Sequence, residues 1–346
     1  MGKLGIGVLG VGEMGRKHAE NIRRLVPAAE LIAIADVNAH RARQAASELE
    51  IAHGLPSLDA MLEMKEIRAV VIATPDKFHA SAVIAAAAAG KDIFCEKPLA
   101  LSVGEAEDAV RAVEEAGVRL QVGFMRHYDP AHVAAKKQID AGEIGDPVIF
   151  KSIGRDKDAP PIEAYQSQLN GMLLYTNTIH DFDSARWLTG DEVAEVHTFT
   201  TVAIRPELEK YDDVVASTVN LRFERGAIGN IESYAQAVYG YDVRTEIVGS
   251  KGSILIGSLR QHSATFLKSE GGSFAIGDHF LTKFADAYLA EMRDFVDMVL
   301  NDRDPLVTGE DGIRAVEIAA AAQRSYLDKS VCALSGMLTG SRTAAK

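Results

Sequence analysis

Residues 4–15 read Leu-Gly-Ile-Gly-Val-Leu-Gly-Val-Gly-Glu-Met-Gly, an apolar run that leads directly into the pattern Gly-x-Gly-x-x-Gly. The apolar run is typical of a buried strand, and a helix is predicted from Glu13 to Val26. Glycines in the connecting turn let backbone amides approach a pyrophosphate at the N-terminus of that helix. The strand–turn–helix context therefore predicts a dinucleotide-binding site, in preference to a glycine-rich turn that binds no ligand.

The alternation of strand and helix continues to about residue 125. Further apolar runs occupy residues 31–35, 69–73, 92–95 and 119–123, and segments with helical periodicity separate them. This order is typical of the α/β class and predicts an N-terminal Rossmann domain with a doubly wound parallel sheet.

After Gly123 the apolar positions alternate with a period of two over longer segments, which predicts a C-terminal α+β domain with a large, mostly antiparallel open sheet. We therefore assign residues 1–125 to an NAD-binding Rossmann domain and residues 126–334 to substrate binding and oligomerisation. The sequence leaves open whether the final helices pack back on the first domain. Residues 335–346 are predicted to be a flexible tail.

Apolar positions such as Val215, Val219 and Leu221 in the second domain need cover on at least one face of the sheet. A partner subunit can supply that cover, so we expect a homodimer or homotetramer.

The composition excludes several classes of protein. A net charge of -12 argues against a general nucleic-acid binder, and no apolar run approaches the roughly 20 residues that a membrane span needs. The two cysteines, Cys95 and Cys332, cannot form a disulfide framework, and no signal peptide precedes the first strand. We expect a cytoplasmic protein that binds neither nucleic acid nor membrane.

Asp36 ends the strand that follows the first helix, where a carboxylate accepts hydrogen bonds from the adenosine ribose and repels a 2′-phosphate. NAD is therefore favoured over NADP, although Arg41 and Arg43 lie close enough in sequence to tolerate a phosphate. His79 is interpreted either as a lining residue of the cofactor site or as a histidine on a helix surface. The full set of predicted cofactor-binding residues is Gly10, Gly12, Glu13, Met14, Asp36, Thr74, Pro75, His79, Glu96 and Lys97.

Lys97 stands in the tripeptide Glu96-Lys97-Pro98, directly after the apolar run Asp92–Cys95. In an open α/β sheet the carboxyl ends of the strands face the ligand crevice. A lysine at this position, next to a bound nicotinamide, can act as acid or base at a hydroxyl that is being oxidised. The sequence therefore indicates the type of reaction more clearly than the substrate.

Several motifs together resemble the Gfo/Idh/MocA oxidoreductases, a family named for glucose–fructose oxidoreductase and inositol dehydrogenase. They are the fingerprint, Thr74-Pro75, Glu96-Lys97-Pro98, Gly123-Phe124-Met125-Arg126, Tyr128-Asp129-Pro130, Gly154-Arg155-Asp156 and Thr178-Ile179-His180-Asp181-Phe182-Asp183, and the last of these look most like the inositol dehydrogenase branch. The resemblance implies NAD(P)-linked oxidation or reduction of a sugar or cyclitol. It also implies that Lys97 contacts the reacting hydroxyl and that His180 is the acid/base.

One position departs from the inositol dehydrogenase pattern. Those enzymes usually carry an aspartate one helical turn before the histidine, and this chain has Thr176 there. Residues four apart share a helix face, so Thr176 is expected to stand where the carboxylate orients the histidine or binds a hydroxyl. Either Asn177 partly substitutes for the carboxylate, or the substrate differs. Asp181 and Asp183 are interpreted as solvent-facing or capping residues.

The expected substrate-binding residues are Arg126, Tyr128, Arg155, Thr176, Asn177 and His180. Arg126 and Arg155, with His127, Lys151 and Lys157, have the charge to hold an acidic sugar, but solvated surface charge is the commoner explanation of such a set. The sequence shows no Cys/His metal spacing, no Gly-x-Ser-x-Gly and no Walker loop.

Three functions remain open on the sequence. The first is an NAD-dependent dehydrogenase that acts on a ring hydroxyl of a sugar or cyclitol. The second is an NAD-dependent glycosidase that oxidises its substrate transiently, eliminates the aglycone, adds water and reduces the product again. The third is a non-catalytic nucleotide sensor, which the presence of Lys97 and His180 disfavours.

Overall fold

The computed structural model describes residues 2–167 and 171–334, so the predicted tail at 335–346 lies outside the described residues. The chain divides into two compact units. The first comprises Met1–Val133 and Phe284–Val316, and the second comprises Ala134–Lys283 and Glu317–Lys346. The late segment Phe284–Val316 thus lies in the first unit, the arrangement that the sequence left open for the final helices.

The first unit contains a parallel sheet with the order β3-β2-β1-β4-β5-β6. Its strands are β1 (Leu4–Leu9), β2 (Ala29–Ala35), β3 (His53–Leu55), β4 (Ala69–Ile72), β5 (Asp92–Glu96) and β6 (Leu120–Gly123). This is the doubly wound order of dinucleotide-binding domains, which confirms the predicted Rossmann sheet. Ligands of such sheets bind at the carboxyl ends of the strands, so the residues that follow β1, β2, β4 and β5 are the ones to inspect.

Eleven helices of the described residues accompany the two sheets. They are α1 (Glu13–Leu25), α2 (Ala39–Glu48), α3 (Leu58–Leu62), α4 (His79–Ala88), α5 (Val103–Ala116), α6 (Pro130–Asp140), α7 (Ile162–Ser167), α8 (Ile179–Thr189), α9 (Phe280–Lys283), α10 (Ala285–Leu300) and α11 (Gly309–Asp328). Among the described helices, none is long and apolar enough to cross a membrane. Helices α9 and α10 are separated only by Phe284.

Helix α10 packs in the core of the first unit although it comes late in the chain. Met292, Phe295 and Val299 belong to one buried cluster with Leu4 of β1 and Phe94 of β5. The rings of Phe94 and Phe295 meet edge to face, with centroids 5.9 Å apart. Burial of apolar surface of this kind is the main stabilising contribution to the unit.

The second unit contains a seven-stranded sheet with the order β12-β11-β7-β10-β9-β8-β15. The strands are β7 (Pro147–Arg155), β8 (Val193–Thr201), β9 (Ala216–Phe223), β10 (Ile228–Tyr234), β11 (Asp242–Gly249), β12 (Ser253–Ile256) and β15 (Cys332–Ala333), and a separate hairpin is formed by β13 (Phe266–Lys268) and β14 (Gly271–Ser273). Only β7 and β10 pair in parallel in the seven-stranded sheet as described, which confirms the predicted mostly antiparallel sheet.

The two faces of this sheet differ in solvent exposure, and this corrects the expectation about which face a partner subunit would cover. Val215, Val219 and Leu221 are at most 5% exposed, so this chain itself covers the positions that were expected to need a partner subunit. Strand register places Phe199 and Ile228 on the opposite face, where they are 62% and 50% exposed. The face that lacks cover is therefore the other one.

Candidate active site

The fingerprint turn is built so that the N-terminus of α1 stays open. Gly10 has φ +90°, and a Cβ atom there would collide with the carbonyl oxygen of Ala73. A Cβ on Gly15 would collide with the carbonyl oxygen of Gly10, whereas nothing lies within 4 Å of the position of a Cβ on Gly12. No side chain caps α1, so its first backbone N–H groups are available to an anion. These features fit a dinucleotide pyrophosphate.

Asp36 is fixed beside the fingerprint. Its Oδ2 accepts the backbone N–H of Val11 at 3.0 Å, and its Oδ1 accepts that of Asn38 at 2.9 Å. Arg41 donates from Nη2 to the carbonyl oxygen of Val11 at 2.8 Å. The guanidinium of Arg41 is therefore engaged by the turn itself, and the carboxylate stands at the end of β2, where a ribose with free hydroxyls fits better than a 2′-phosphate. Glu13 is exposed and Met14 is half-buried in the same turn.

His79 joins two loops of the first unit. Its side chain is buried, so the interpretation as a surface histidine is wrong. Nδ1 contacts the carbonyl oxygen of Pro98 at 2.7 Å and Nε2 contacts that of Thr74 at 2.9 Å. Both ring nitrogens therefore have partners within the protein, in the loops after β4 and β5, and the placement of His79 along the cofactor site stays a prediction.

Lys97 is half-buried directly after β5, and its neighbour Glu96 faces the protein interior. The Glu96 side chain is buried, with Oε1 2.6 Å from Nε2 of His18 and Oε2 3.3 Å from the backbone nitrogen of Lys97. Glu96 thus contacts the backbone of Lys97, and its assignment to cofactor binding stays a prediction. Thr74 is half-buried and Pro75 is exposed in the neighbouring loop.

Two buried residues beside Lys97 were missed at the sequence level. His18 of α1 and Glu291 of α10 are both 0% exposed, and with Glu96 they form a cluster whose nearest ligand atoms all lie within 4.8 Å of one another. Periodicity could have identified both. His18 falls on the apolar face of α1 with Ala19 and Ile22, and Glu291 falls on the buried face of α10.

In the second unit, the predicted helix that carries His180 has two parts. Residues Leu173–Thr178 form a π-helix, and α8 continues from Ile179. Thr176 donates from Oγ1 to the carbonyl oxygen of Met172 at 2.7 Å, and Thr178 donates to that of Leu173 at 3.1 Å. π-Helical turns inside α-helices occur frequently at functional sites. The proton of the Thr176 hydroxyl is used by its own helix, which leaves that oxygen only as an acceptor.

A buried carboxylate holds the start of this π-helix. Asp213 accepts the backbone N–H groups of Met172 at 2.7 Å, of Leu173 at 3.4 Å and of Val214 at 2.8 Å. Burial raises the pKa of Asp213 to about 6, although the three N–H donors act in the opposite direction. The segment that carries His180 is therefore attached to the protein by a group that titrates in mildly acidic solution.

The acids near His180 are buried, which corrects the expectation that they face solvent. Asp181 is 0% and Asp183 is 2% exposed, and Ser152 of β7 donates to Oδ1 of Asp181. Asn177 donates from Nδ2 to the carboxylate of Asp156. A Cβ on Gly154 would lie 2.9 Å from Oδ2 of Asp181, so only glycine leaves the carboxylate in place. His180 itself is half-buried at the start of α8.

Three predicted substrate-binding residues are engaged elsewhere. Tyr128 donates from its hydroxyl to Oδ2 of Asp294 at 3.0 Å, and Arg126 is 2% exposed. Arg155 donates from Nε to Glu232 at 2.8 Å and from Nη1 to the hydroxyl of Tyr239 at 2.7 Å. The guanidinium of Arg155 already has a carboxylate partner, which weakens the hypothesis that this residue binds an acidic sugar.

Each unit thus contains part of the predicted set of site residues. The first brings together the fingerprint glycines, Asp36 and Lys97 at the carboxyl edge of one sheet. The second brings together Asn177 and His180 with Asp181. Chemically, the first set fits a dinucleotide and a proton donor or acceptor, and the second supplies an imidazole among hydrogen-bonding groups.

Comparisons with known proteins agree with this arrangement. A family model described as the Gfo/Idh/MocA oxidoreductase family, NAD-binding Rossmann fold, matches residues 4–124, and one described as its C-terminal alpha/beta domain matches residues 136–334. The scyllo-inositol 2-dehydrogenase (NAD(+)) of Bacillus subtilis is 41% identical over 92% of this chain and 93% of its own. The myo-inositol 2-dehydrogenase of Thermotoga maritima is 35% identical over 94% of this chain and 96% of its own.

A solved structure extends the comparison. The scyllo-inositol dehydrogenase of Lactobacillus casei, crystallised with NAD(H) and scyllo-inositol, superimposes with a TM-score of 0.92 at 29% identity, over 96% of this chain and all of that one. With both family models matched and the fingerprint and Asp36 placed as an NAD site requires, the chain belongs to the Gfo/Idh/MocA family of NAD-dependent oxidoreductases.

Proposed function

We propose that this protein is an NAD-dependent cyclitol dehydrogenase that oxidises a ring hydroxyl of an inositol to the ketone. The observation that carries the proposal is the position of Lys97. It follows β5, two strands from β1 and its fingerprint in the same parallel sheet, a separation of roughly 10 Å. Relatives named as scyllo- and myo-inositol dehydrogenases support the choice of substrate class.

Different residues of this chain have different roles in the proposed reaction. The fingerprint amides and Asp36 hold the dinucleotide, which when bound supplies the hydride acceptor. The ammonium of Lys97 would stabilise negative charge on an oxygen that is being oxidised, and His180 is the acid/base that the family resemblance implies for the hydroxyl proton. Asn177, through its side-chain amide, helps to bind the neighbouring ring hydroxyls.

A screen of cyclitols and glycosides tests the proposal. We expect NADH absorbance to accumulate with myo-inositol or scyllo-inositol and NAD, and no aglycone to be released from aryl glycosides. An NAD-dependent glycosidase gives the opposite pattern, because it returns the hydride to its own product. Release of aglycone without net NADH would therefore replace the proposed function with that alternative.

We further propose that a second copy of this chain covers the outer face of the seven-stranded sheet, giving a homodimer or a homotetramer. Phe199 and Leu255, 62% and 79% exposed, support this assignment because register places both on that face. Light scattering at micromolar concentration should give at least the dimer mass, and the double variant Phe199→Asp/Leu255→Asp should shift the mass to the monomer. A monomeric wild type would contradict it.

Cys95 and Cys332 are free thiols in the structure, which supports the expectation of a reducing, cytoplasmic location. Fractionation of cells that express the tagged protein checks this.

A further inference from the structure

The cluster of His18, Glu96 and Glu291 lies in the interior of the first unit. Three ionisable side chains, at most 6% exposed, meet there from α1, β5 and α10. Burial of ionisable groups is costly unless they are paired, so an arrangement of this kind needs an explanation. The contacts connect it directly to Lys97.

The carboxylate of Glu96 makes two contacts of different kinds. Its Oε1 lies 2.6 Å from Nε2 of His18, a distance typical of a charge-assisted hydrogen bond. Its Oε2 accepts the backbone N–H of Lys97 at 3.3 Å. If His18 no longer held Oε1, the carboxylate would be free to turn, and the acceptor for the Lys97 N–H would move with it.

Glu291 completes the cluster without a hydrogen bond of its own. Neither of its carboxylate oxygens has a hydrogen-bond partner among the described residues, and Oε1 lies 4.0 Å from Nε2 of His18. Burial and the nearby carboxylate of Glu96 raise the pKa of Glu291 well above its usual range. Burial and a neighbouring carboxylate thus both disfavour a negative charge on Glu291.

We propose that His18 is a positioning residue for Lys97: its ring fixes the Glu96 carboxylate under the Lys97 backbone, in a site that Glu291 encloses from α10. The other titratable side chains that face the cluster in the described residues include Cys95 of β5, Tyr128, whose hydroxyl donates to Asp294, and Tyr288 of α10, whose ring centroid is 6.2 Å from that of His18. The proposal rests on the role of Lys97 given above.

The first test compares two replacements of His18 with a packing control. His18→Leu removes the donor to Glu96, and we expect kcat to fall about 10- to 100-fold, the size expected when a reacting group is displaced by about an ångström. The Kd for NAD should change less than twofold. His18→Gln places an amide N–H near the position of Nε2 and should restore kcat to within a few-fold of wild type. Phe295→Leu loosens packing under the same strand without touching the hydrogen bonds, so it should lower Tm and spare kcat.

The second test replaces the two carboxyl groups of the cluster. Glu96→Gln offers one acceptor oxygen in place of the two that contact His18 and the Lys97 N–H, so kcat should fall about as much as in His18→Leu, with a change of less than twofold in the Kd for NAD. Neither carboxylate oxygen of Glu291 has a hydrogen-bond partner among the described residues, so Glu291→Gln should lower kcat by less than about threefold.

Several outcomes would overturn the proposal. Full kcat in His18→Leu, or equal losses in His18→Leu and Phe295→Leu, would leave His18 with a packing role. A loss of kcat in Glu291→Gln as large as in Glu96→Gln would show that the hydrogen bond from His18 to Glu96 is not what positions Lys97. One equivalent of metal in the purified protein, lost in Glu291→Gln, would make the cluster a cation site. Lys97→Ala in the same assay separates this proposal from the function: if that variant keeps activity, the role of Lys97 fails first.

Discussion

The lysine edge of the first unit and the histidine segment of the second reach their geometry by different means. At the lysine edge, Lys97 follows a regular strand, and His79 and Glu96 bind the backbone on either side of it. In the histidine segment, His180 follows a π-helix whose start depends on Asp213, a residue more than 30 positions later in the chain. A site at the end of a parallel strand is set by local pattern and sheet order, whereas a site on an irregular helix needs a distant partner.

The largest effect should come from the lysine edge. Lys97→Ala removes the cation at the reacting oxygen, so turnover should fall by about 10²–10⁴-fold, the usual contribution of an acid/base group. NAD binding should be largely unaffected, because the fingerprint and Asp36 remain. Steady-state kinetics and a cofactor titration measure both. Lys65→Ala, an exposed lysine of the same unit, is the matched control, and activity of Lys97→Ala within a few-fold of wild type would remove this lysine from the mechanism.

The histidine segment should respond to pH through Asp213. Its folded pKa of about 6 lies above its usual 3.8, so between these values the folded protein binds more protons than the unfolded chain. The stability from this group is complete below about pH 4 and is lost as pH rises through 6, a fall of up to about 3 kcal/mol. Urea unfolding from pH 4 to pH 8 should show this fall in wild type and not in Asp213→Asn. Parallel curves for the two proteins would refute the assignment.

Variants of Thr176 show how the histidine segment affects kcat/KM for different substrates. Thr176→Asp breaks the bond to Met172 and introduces a half-buried charge, so kcat/KM for the best native substrate should fall about tenfold or more. Thr176→Asn has the same shape without the charge and isolates its contribution. The comparison requires kcat/KM for myo-inositol, scyllo-inositol and the best native substrate. A rise in kcat/KM for either inositol in Thr176→Asp would mean that the threonine only replaces a helper carboxylate.

The smallest effect is expected at Asp36. Loss of its carboxylate in Asp36→Ala removes the acceptor for the ribose hydroxyls and the repulsion of a 2′-phosphate, so the preference for NAD over NADP should narrow by about tenfold. Titration of both cofactors gives the ratio of the two Kd values. Equal or tighter binding of NADP by the wild type would show that Arg41 or Arg43 dominates, and Arg43→Ala would then restore the preference for NAD.

The sequence determined the sites that depend on local pattern. The apolar run before Gly10, the glycine spacing and the strand that precedes Lys97 were sufficient for the Rossmann sheet and its carboxyl edge, because strand–turn–helix signals are short-range. The mostly antiparallel second sheet also followed from period-two alternation. Helical periodicity on α10 could have identified Glu291 as buried, but not the residues that it would meet.

Tertiary structure alone decided the rest, because each remaining feature joins residues that are far apart in sequence. His18 meets Glu96 across 78 positions, and His79 meets Pro98 across 19. The exposed face of the second sheet is also the one opposite to the face expected from the sequence. Val219 is covered within the chain, whereas Phe199 is exposed. Local sequence specifies which segments form strands and helices, whereas a buried polar group takes its partner from whichever segment the packing brings within hydrogen-bond distance.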